Sequence, residues 1–144
     1  MSRAVILYIR PEWTKFIVSG EKTVELRKTK PKNIQTPFRT FIYETKGLPN
    51  KPGRGKVIGE FICDEIRKDV YPSRGIVREE DQKRSCVSIE GIIDYATRTK
   101  RNAQLVYWWN ITQLKLYANP YDLSELTDKN APISWMVIDV PEGK

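Results

Sequence analysis

Apolar residues along this chain fall into short runs whose spacing predicts alternating strands and helices. Residues 4–9 form a continuous apolar run, which is typical of a strand buried on both faces. Pro11 suits the first turn of a helix, and Gly20 predicts where that helix ends. Residues 22–28 and 38–44 predict a second and a third strand.

The pattern beyond residue 44 predicts a basic loop followed by several short elements. Residues 46–56 are rich in Gly, Pro and positive charge, which indicates a loop. Residues 57–66 predict a long strand, whereas residues 67–86 are mostly polar and charged and predict a long irregular excursion. The remaining predicted elements are a helix capped by Ser88 with apolar positions through residue 96, a strand over 109–117, a helical turn at 124–126 and a last strand over 134–140.

This inventory of five to six short strands and two to three helices predicts an α+β fold. Gly59 inside a strand suggests a bend of the kind that closes barrels, and few βαβ spacings are present. We therefore predict a small mixed β-barrel flanked by helices rather than a doubly wound sheet. At 144 residues the chain is expected to form a single domain over residues 1–144.

Composition bears on membrane association and on the redox compartment of this protein. No apolar run approaches the ~20 residues of a membrane span, and the first run lacks the form of a signal peptide, so no membrane partner is expected. The two cysteines, Cys63 and Cys86, have no partner motif and are predicted to be buried free thiols, with a disulfide as the less favoured alternative. Free thiols fit a reducing cytoplasm.

The chain contains no histidine, which removes the commonest general base and transition-metal ligand. The carboxylates of Glu60, Asp64 and Glu65 match no metal-binding spacing and are expected to be solvated. We predict no metal site and no cofactor, and Mg²⁺ would enter only with ribonuclease chemistry.

Positive charge is concentrated in the first part of the chain. Residues 1–56 carry 13 Lys and Arg against 4 Asp and Glu, whereas residues 57–144 carry 12 against 14. A basic half points to a polyanion, usually a nucleic acid, although a solvated face that aids solubility gives the same composition.

Residues 20–27, Gly-Glu-Lys-Thr-Val-Glu-Leu-Arg, concentrate charged side chains just after the predicted helix. Strand alternation places Glu25 and Arg27 on one face and Lys22, with Val24, on the other. A carboxylate beside a guanidinium is either a surface ion pair of little energetic value or a polar site inside a small barrel.

Several short motifs, taken in order, resemble the ASCH (ASC-1 homology) domain of the PUA-like superfamily. The resemblance covers essentially the whole chain and depends on the order and spacing of the motifs. They are Ile9-Arg10-Pro11-Glu12, the G-x-K-x-x-E-x-R pattern of residues 20–27, Tyr43-Glu44-Thr45, Val57-Ile58-Gly59-Glu60-Phe61, residues 111–117 with Asn119-Pro120, and Pro132-Ile133-Ser134-Trp135.

The resemblance implies a PUA-like barrel with a cleft between barrel and helices, and a protein that binds RNA or acts on modified nucleosides. Some bacterial members resemble ribonucleases, and a compact branch hydrolyses N4-acetylcytidine with a Lys, a Thr and a Glu. Glu25 stands where that branch has its Thr, and Thr23 occupies a different position. This departure disfavours the amidohydrolase activity.

Candidate site residues follow from these observations. Arg and Lys suit phosphate, a tyrosine can stack a base, and a serine hydroxyl can bind phosphate or act as a nucleophile. The candidate catalytic residues are Lys22, Glu25, Tyr43 and Ser134. The candidate nucleic-acid contacts are Arg10, Lys22, Arg27, Lys28, Tyr43, Lys46, Lys51, Arg54, Ser134 and Trp135.

Each candidate has a simpler interpretation, and the function stays open at this point. Tyr43 also suits an ordinary strand aromatic, Trp135 a core residue and Ser134 a turn residue. The leading hypothesis is binding of RNA or another single-stranded nucleic acid, with ribonuclease activity left open. The alternatives are hydrolysis of a modified, acylated nucleoside and a protein-interaction module of an RNA-related complex with an unidentified protein partner.

Overall fold

The computed structural model describes residues 2–71, 77–98, 104–131 and 134–144. Within these ranges the chain is an α+β protein. Its helices are α1 (Pro11–Val18), α2 (Glu79–Ser85) and α3 (Ile89–Thr97), with a short 3₁₀ helix over Leu123–Glu125. Its strands are β1 (Arg3–Ile9), β2 (Val24–Arg27), β3 (Phe38–Glu44), β4 (Gly47–Leu48), β5 (Lys51–Pro52), β6 (Lys56–Cys63), β7 (Ile66–Val70), β8 (Leu105–Asn110), β9 (Thr112–Tyr121) and β10 (Trp135–Asp139). None of the described helices is long and apolar enough to traverse a bilayer.

The largest sheet has five strands in the order β10-β1-β3-β6-β9. β1 runs parallel to β3, and the other neighbouring strands are antiparallel. A parallel pair needs a crossover connection, and α1 lies within it. Residues 4–9 are buried, which confirms the prediction of a strand covered on both faces.

A second sheet of three strands, in the order β2-β8-β7, packs against one face of the first sheet. The core between them combines Val5, Leu7 and Ile42 of the five-stranded sheet with Trp109 of β8. Apolar burial between the two sheets therefore holds β8 against the five-stranded sheet, and β2 is held there through its pairing with β8.

Helix α3 covers the outer face of the three-stranded sheet. Ile92 and Ala96 of α3 pack with Val24, Leu26 and Trp108. Ser88 caps this helix by accepting a hydrogen bond from the backbone N–H of Gly91, which confirms the predicted cap. Because alternate residues of β2 face α3, the residues between them face the interior.

Strand pairing in the described residues corrects the predicted architecture in two respects. The hydrogen-bonded strands form open sheets rather than a closed barrel, because β2 has only four residues and pairs with β8 alone. The strands also outnumber the predicted five to six. Residues 105–121 form the two strands β8 and β9 where one strand over 109–117 was predicted, and two segments assigned to irregular structure contain pairing strands. Residues 46–56 contain the β4–β5 hairpin, and the excursion at 67–86 contains most of β7 as well as α2. Residues 72–76 and 99–103 lie outside the described residues.

A candidate site at the junction of β2, α1 and β10

The turn after α1 decides where Lys22 points. α1 ends at Val18, and β2 begins only at Val24, so Lys22 lies in the connecting turn. The prediction that Lys22 shares the face of Val24 is therefore wrong, because strand alternation does not extend back to it. The Lys22 Nζ atom instead reaches the interior side and lies 3.1 Å from Glu25 Oε1.

Glu25 lies at the centre of a buried group of charges. Its Oε2 accepts from Arg27 Nη2 at 2.8 Å and from Arg27 Nε at 3.2 Å. Burial alone would raise the pKa of the Glu25 carboxyl, but the charges and hydrogen bonds of Lys22 and Arg27 outweigh burial and hold that pKa below its ordinary value. Glu25 is thus an ionised acceptor at neutral pH.

Arg27 connects this group to the far end of the chain. Its Nη1 donates to Ser134 Oγ at 3.2 Å, and its Nη2 donates to the Tyr8 carbonyl at 2.7 Å. The Tyr8 N–H in turn donates to the Ser134 carbonyl at 2.8 Å. The structure thus brings Glu25, Arg27 and Ser134 together across the junction of β2, β1 and the start of β10.

Lys22 has little freedom to bind a further anion. Its side chain is only 1% exposed, and Nζ also donates to the Ser85 carbonyl at 2.8 Å, in the last turn of α2. The same Nζ lies 5.4 Å from the ring centroid of Trp13 on α1. We refer to Lys22, Glu25, Arg27 and Ser134 together as the buried array.

Two further predicted residues lie beside the array on different sides. Trp135 is half-buried, packs 6.4 Å from Trp109 between ring centroids, and donates from Nε1 to Thr29 Oγ1 at 3.0 Å. Lys28 donates to the Ala96 carbonyl of α3 at 2.8 Å, and burial lowers the pKa of its ammonium.

Tyr43 belongs to a different part of the core. Its ring packs edge-on against Tyr8 with centroids 5.2 Å apart, in an apolar cluster with Phe41, Val57 and Leu126. Tyr43 is buried, and the structure does not bring it into the buried array.

The exposed predicted cations gather at another place, around the first turn of α1. Arg10, Lys46 and Lys51 line a cavity of about 540 Å³, and Arg54 follows on the same connection. Arg10 and Lys51 are 78% and 62% exposed in their side chains. The cavity also contains the carboxylate of Glu12, which lies 3.4 Å from Lys51 Nζ. We refer to Arg10, Lys46, Lys51 and Arg54 as the basic rim.

Sequence reasoning missed a second buried carboxylate beneath the basic rim. Glu44, at the end of β3, accepts from the hydroxyl of Thr14 and, at 2.7 Å, from the backbone N–H of Arg54. Thr14 has no solvent exposure. The available signal was a hydroxyl at position 14, on the same helix face as Ile17, where an apolar residue is expected.

The carboxylates and thiols of the described parts of the chain form no metal-binding cluster. No group of three or more Cys, Asp or Glu side chains there is arranged to hold a metal ion. Glu60 is not solvated as expected, because it pairs with Arg39 and accepts from Tyr117. Asp64 accepts from Asn110, so the two carboxylates have different partners. Cys63 and Cys86 are both free thiols.

The structure is that of an α+β protein with two facing sheets and a buried Lys–Glu–Arg group at their junction. The sequence matches the profile of the ASCH domain over residues 7–122. The chain belongs to the ASCH domain family. No curated protein is matched by this chain.

Solved structures show the same fold. ASCH from Zymomonas mobilis is 21% identical with a TM-score of 0.72, over 94% of this chain and 87% of that one. A Tyr-to-Phe mutant of that protein gives a TM-score of 0.71 at 21% identity, over 94% and 90% of the two chains. A Ser-to-Ala mutant gives 0.71 at 21% identity, over 94% and 88%.

Proposed function

We propose that this ASCH-domain protein binds single-stranded RNA at the basic rim. The observation that carries the proposal is the convergence of Arg10, Lys46 and Lys51 on one cavity, with their charged groups in solvent. Exposed cations release counterions when they neutralise phosphates, and this term supplies most of the affinity of non-specific nucleic-acid binding. The ASCH family is generally linked to RNA binding, which favours RNA over other polyanions.

The shape and lining of the cavity favour a single strand. A volume of about 540 Å³ accommodates a splayed nucleotide, which a base-paired duplex does not present. Pro11 and Leu48 supply an apolar wall for a base, and Leu48 is 64% exposed. The first turn of α1 lines the cavity as well, and the positive end of a helix dipole favours phosphate.

The predicted contacts thus differ in their roles. The exposed cations of the basic rim contact phosphate, and Ser134 and Trp135, both half-exposed, extend the binding surface along the β2 side. Lys22 and Arg27 already bind Glu25, so they contribute their net positive field rather than a direct phosphate contact. Tyr43 supports the sheet beneath the rim.

Fluorescence anisotropy with a labelled short single-stranded RNA tests the proposal. The triple variant Arg10→Ala, Lys46→Ala and Lys51→Ala should weaken binding, and its plot of log affinity against log salt should be shallower by about 0.7 for each lost phosphate contact. Lys83→Ala, which removes an exposed cation on α2, is the control. Salt-independent binding by the wild type, or equal affinity in the triple variant, would reject the proposal. Single-stranded DNA of the same sequence measures the contribution of the 2′-hydroxyl.

A hydrolase acting on RNA or on an acylated nucleoside is the second candidate, and the buried array favours it. Ionised groups are costly to bury, so two cations and a carboxylate held next to the Ser134 hydroxyl fit a prepared reaction site. In this candidate Ser134 contacts the scissile group, while the net positive field of Lys22 and Arg27 stabilises developing negative charge without direct contact. The test is turnover of single-stranded RNA and N4-acetylcytidine with and without Mg²⁺. Activity that disappears in Lys22→Ala while RNA binding stays intact would support hydrolysis.

A further inference from the structure

The β4–β5 hairpin, which carries Lys51 and is flanked by Lys46 and Arg54, is closely docked on α1. Gly47 and Gly53 face Pro11, and a Cβ placed on either glycine would come within 3.0 to 3.1 Å of Pro11 Cγ. The same Cβ atoms would overlap the carbonyl oxygens of Lys51 and Thr45, respectively. The hairpin therefore has one closely packed position, which its two glycines permit.

Beneath the hairpin, one carboxylate links three separate segments. Glu44 extends from the end of β3, takes a hydrogen bond from the Thr14 hydroxyl on α1, and takes another from the Arg54 N–H just after β5. The Arg54 Nε atom also lies 3.9 Å from Glu44 Oε1. The helix, the central sheet and the end of the hairpin thus meet at one side chain that is almost entirely shielded from solvent.

We propose that Glu44 and Thr14 are positioning residues that hold the hairpin over the first turn of α1, so that the basic rim is ordered before a ligand arrives. This inference rests on the proposed function for its ligand. Ordering long cationic side chains and their loop during binding costs affinity, and a rim that is ordered beforehand avoids that cost. Glu44 itself contacts no ligand in this account.

The substitution Glu44→Ala distinguishes a positioning role from a simple effect of charge, because the two predict opposite changes in RNA affinity. Glu44→Ala removes a negative charge beside a polyanion-binding surface, and simple electrostatics predicts tighter RNA binding. The positioning role predicts the opposite, namely a Kd that rises roughly tenfold because the rim must be ordered on binding. Glu80→Ala removes an exposed carboxylate on α2, produces the same change in net charge, and should leave the Kd unchanged or slightly lower.

A pair of substitutions at Thr14 isolates the hydrogen bond. Thr14→Val keeps the volume of the buried side chain and removes its hydroxyl, whereas Thr14→Ser keeps the hydroxyl. We expect Thr14→Val to weaken RNA binding as Glu44→Ala does and Thr14→Ser to behave like the wild type. The slope of log affinity against log salt should stay that of the wild type, because the rim still makes its phosphate contacts once it is ordered. All variants are compared well below their thermal unfolding midpoints, so that loss of global folding does not enter.

Hydrogen exchange of the Arg54 amide gives a second measurement that needs no RNA. Its N–H is bonded to Glu44, so its exchange should accelerate by about tenfold or more in Glu44→Ala and Thr14→Val, while the Leu7 amide in β1 stays protected. Unchanged Arg54 exchange overturns the inference, and so does faster exchange with unchanged RNA affinity. If the wild type does not bind RNA, the proposed function fails, and the exchange rates alone then decide whether Glu44 holds the hairpin.

Discussion

Arg27 and Ser134 are 107 positions apart in the sequence, yet Arg27 Nη1 lies 3.2 Å from Ser134 Oγ. Arg27 also holds Glu25 and the Tyr8 carbonyl, so one guanidinium links β2, β1 and the start of β10. A planar group with five N–H donors can serve these partners at once, which an ammonium cannot do in the same geometry. Within the array, Arg27 is therefore the side chain that joins Glu25 to β1 and to the start of β10.

Removing Arg27 should destabilise the fold substantially. In Arg27→Ala, the Glu25 carboxylate stays buried with Lys22 as its remaining charged partner, and the Tyr8 carbonyl loses its donor. Breaking a buried ion pair leaves an undercompensated charge, so we expect the free energy of unfolding to fall by roughly 3 kcal/mol. Denaturant unfolding followed by circular dichroism measures this change.

The matched control for Arg27→Ala is Arg98→Ala. Arg98 pairs with Asp94 on the surface of α3, and both side chains are about two thirds exposed. Exposed pairs contribute little, so its loss should change the free energy of unfolding by less than about 0.5 kcal/mol. Equal effects of the two substitutions would contradict the assignment of Arg27 as a buried connection.

The pKa of Glu25 predicts how stability depends on pH. The folded state holds this pKa below its ordinary value of 4.5, so the unfolded chain takes up the proton first as pH falls. The stabilisation is complete above about pH 4.5 and is lost progressively as pH falls through the lower folded-state pKa. Gln has no titrating group, so the Glu25→Gln variant lacks this pH-dependent stabilisation at every pH. The difference in free energy of unfolding between wild type and variant should therefore shrink in acid.

Unfolding curves at several pH values test this expectation. The exposed Glu80→Gln substitution provides the comparison, because it lowers the number of titrating carboxylates without disturbing the array. Its stability should follow the wild type at every pH. If the Glu25→Gln curve also runs parallel to the wild type in acid, Glu25 does not carry the predicted linkage.

The sequence pattern predicted the strands and helices that bury apolar residues at regular spacing. β1, α1 and α3 each bury a continuous or regularly spaced apolar set, and they form close to where they were expected. The alternation of β2 also placed Glu25 and Arg27 on one face. These features are local, since a strand or helix that buries apolar residues shows its period in its own sequence.

The features that sequence missed depend on partners distant in the chain. α2 has only polar and charged residues, and its Asp81 is buried because Arg67 of β7 and the adjacent Arg78 pair with it. Nothing in the segment itself indicates that ion pair. The Glu44–Thr14 bond is likewise a meeting of two elements whose separate patterns do not reveal it.

The two thiols should differ sharply in reactivity. Burial raises the pKa of Cys63 to about 12, and this thiol lies in the core between the sheets. Cys86 is half-buried and follows α2 in a left-handed conformation at φ 61°. Burial raises the pKa of the Cys86 thiol as well, so access to solvent is the main difference between the two thiols. Iodoacetamide should therefore modify native protein at Cys86 alone.

Intact mass spectrometry checks the labelling. The folded wild type should gain one adduct near neutral pH, the unfolded chain two, and folded Cys86→Ser none. Labelling of Cys63 at a comparable rate in the folded protein would show that the interior between the sheets opens readily.

The substitution Ser134→Ala distinguishes a structural role of the Ser134 hydroxyl from a role in RNA binding. The substitution removes only Oγ, while Arg27 keeps its bonds to Glu25 and to the Tyr8 carbonyl. The free energy of unfolding should therefore fall by only about 1 kcal/mol. If Ser134 contacts RNA, losing one hydrogen bond should raise the Kd by roughly fivefold, as anisotropy titration would measure. Ser124→Ala, at an exposed position of the 3₁₀ helix, should change neither quantity. A loss of stability in Ser134→Ala with an unchanged Kd would leave Ser134 as a support for Arg27, and the ligand would then lie on the basic rim alone.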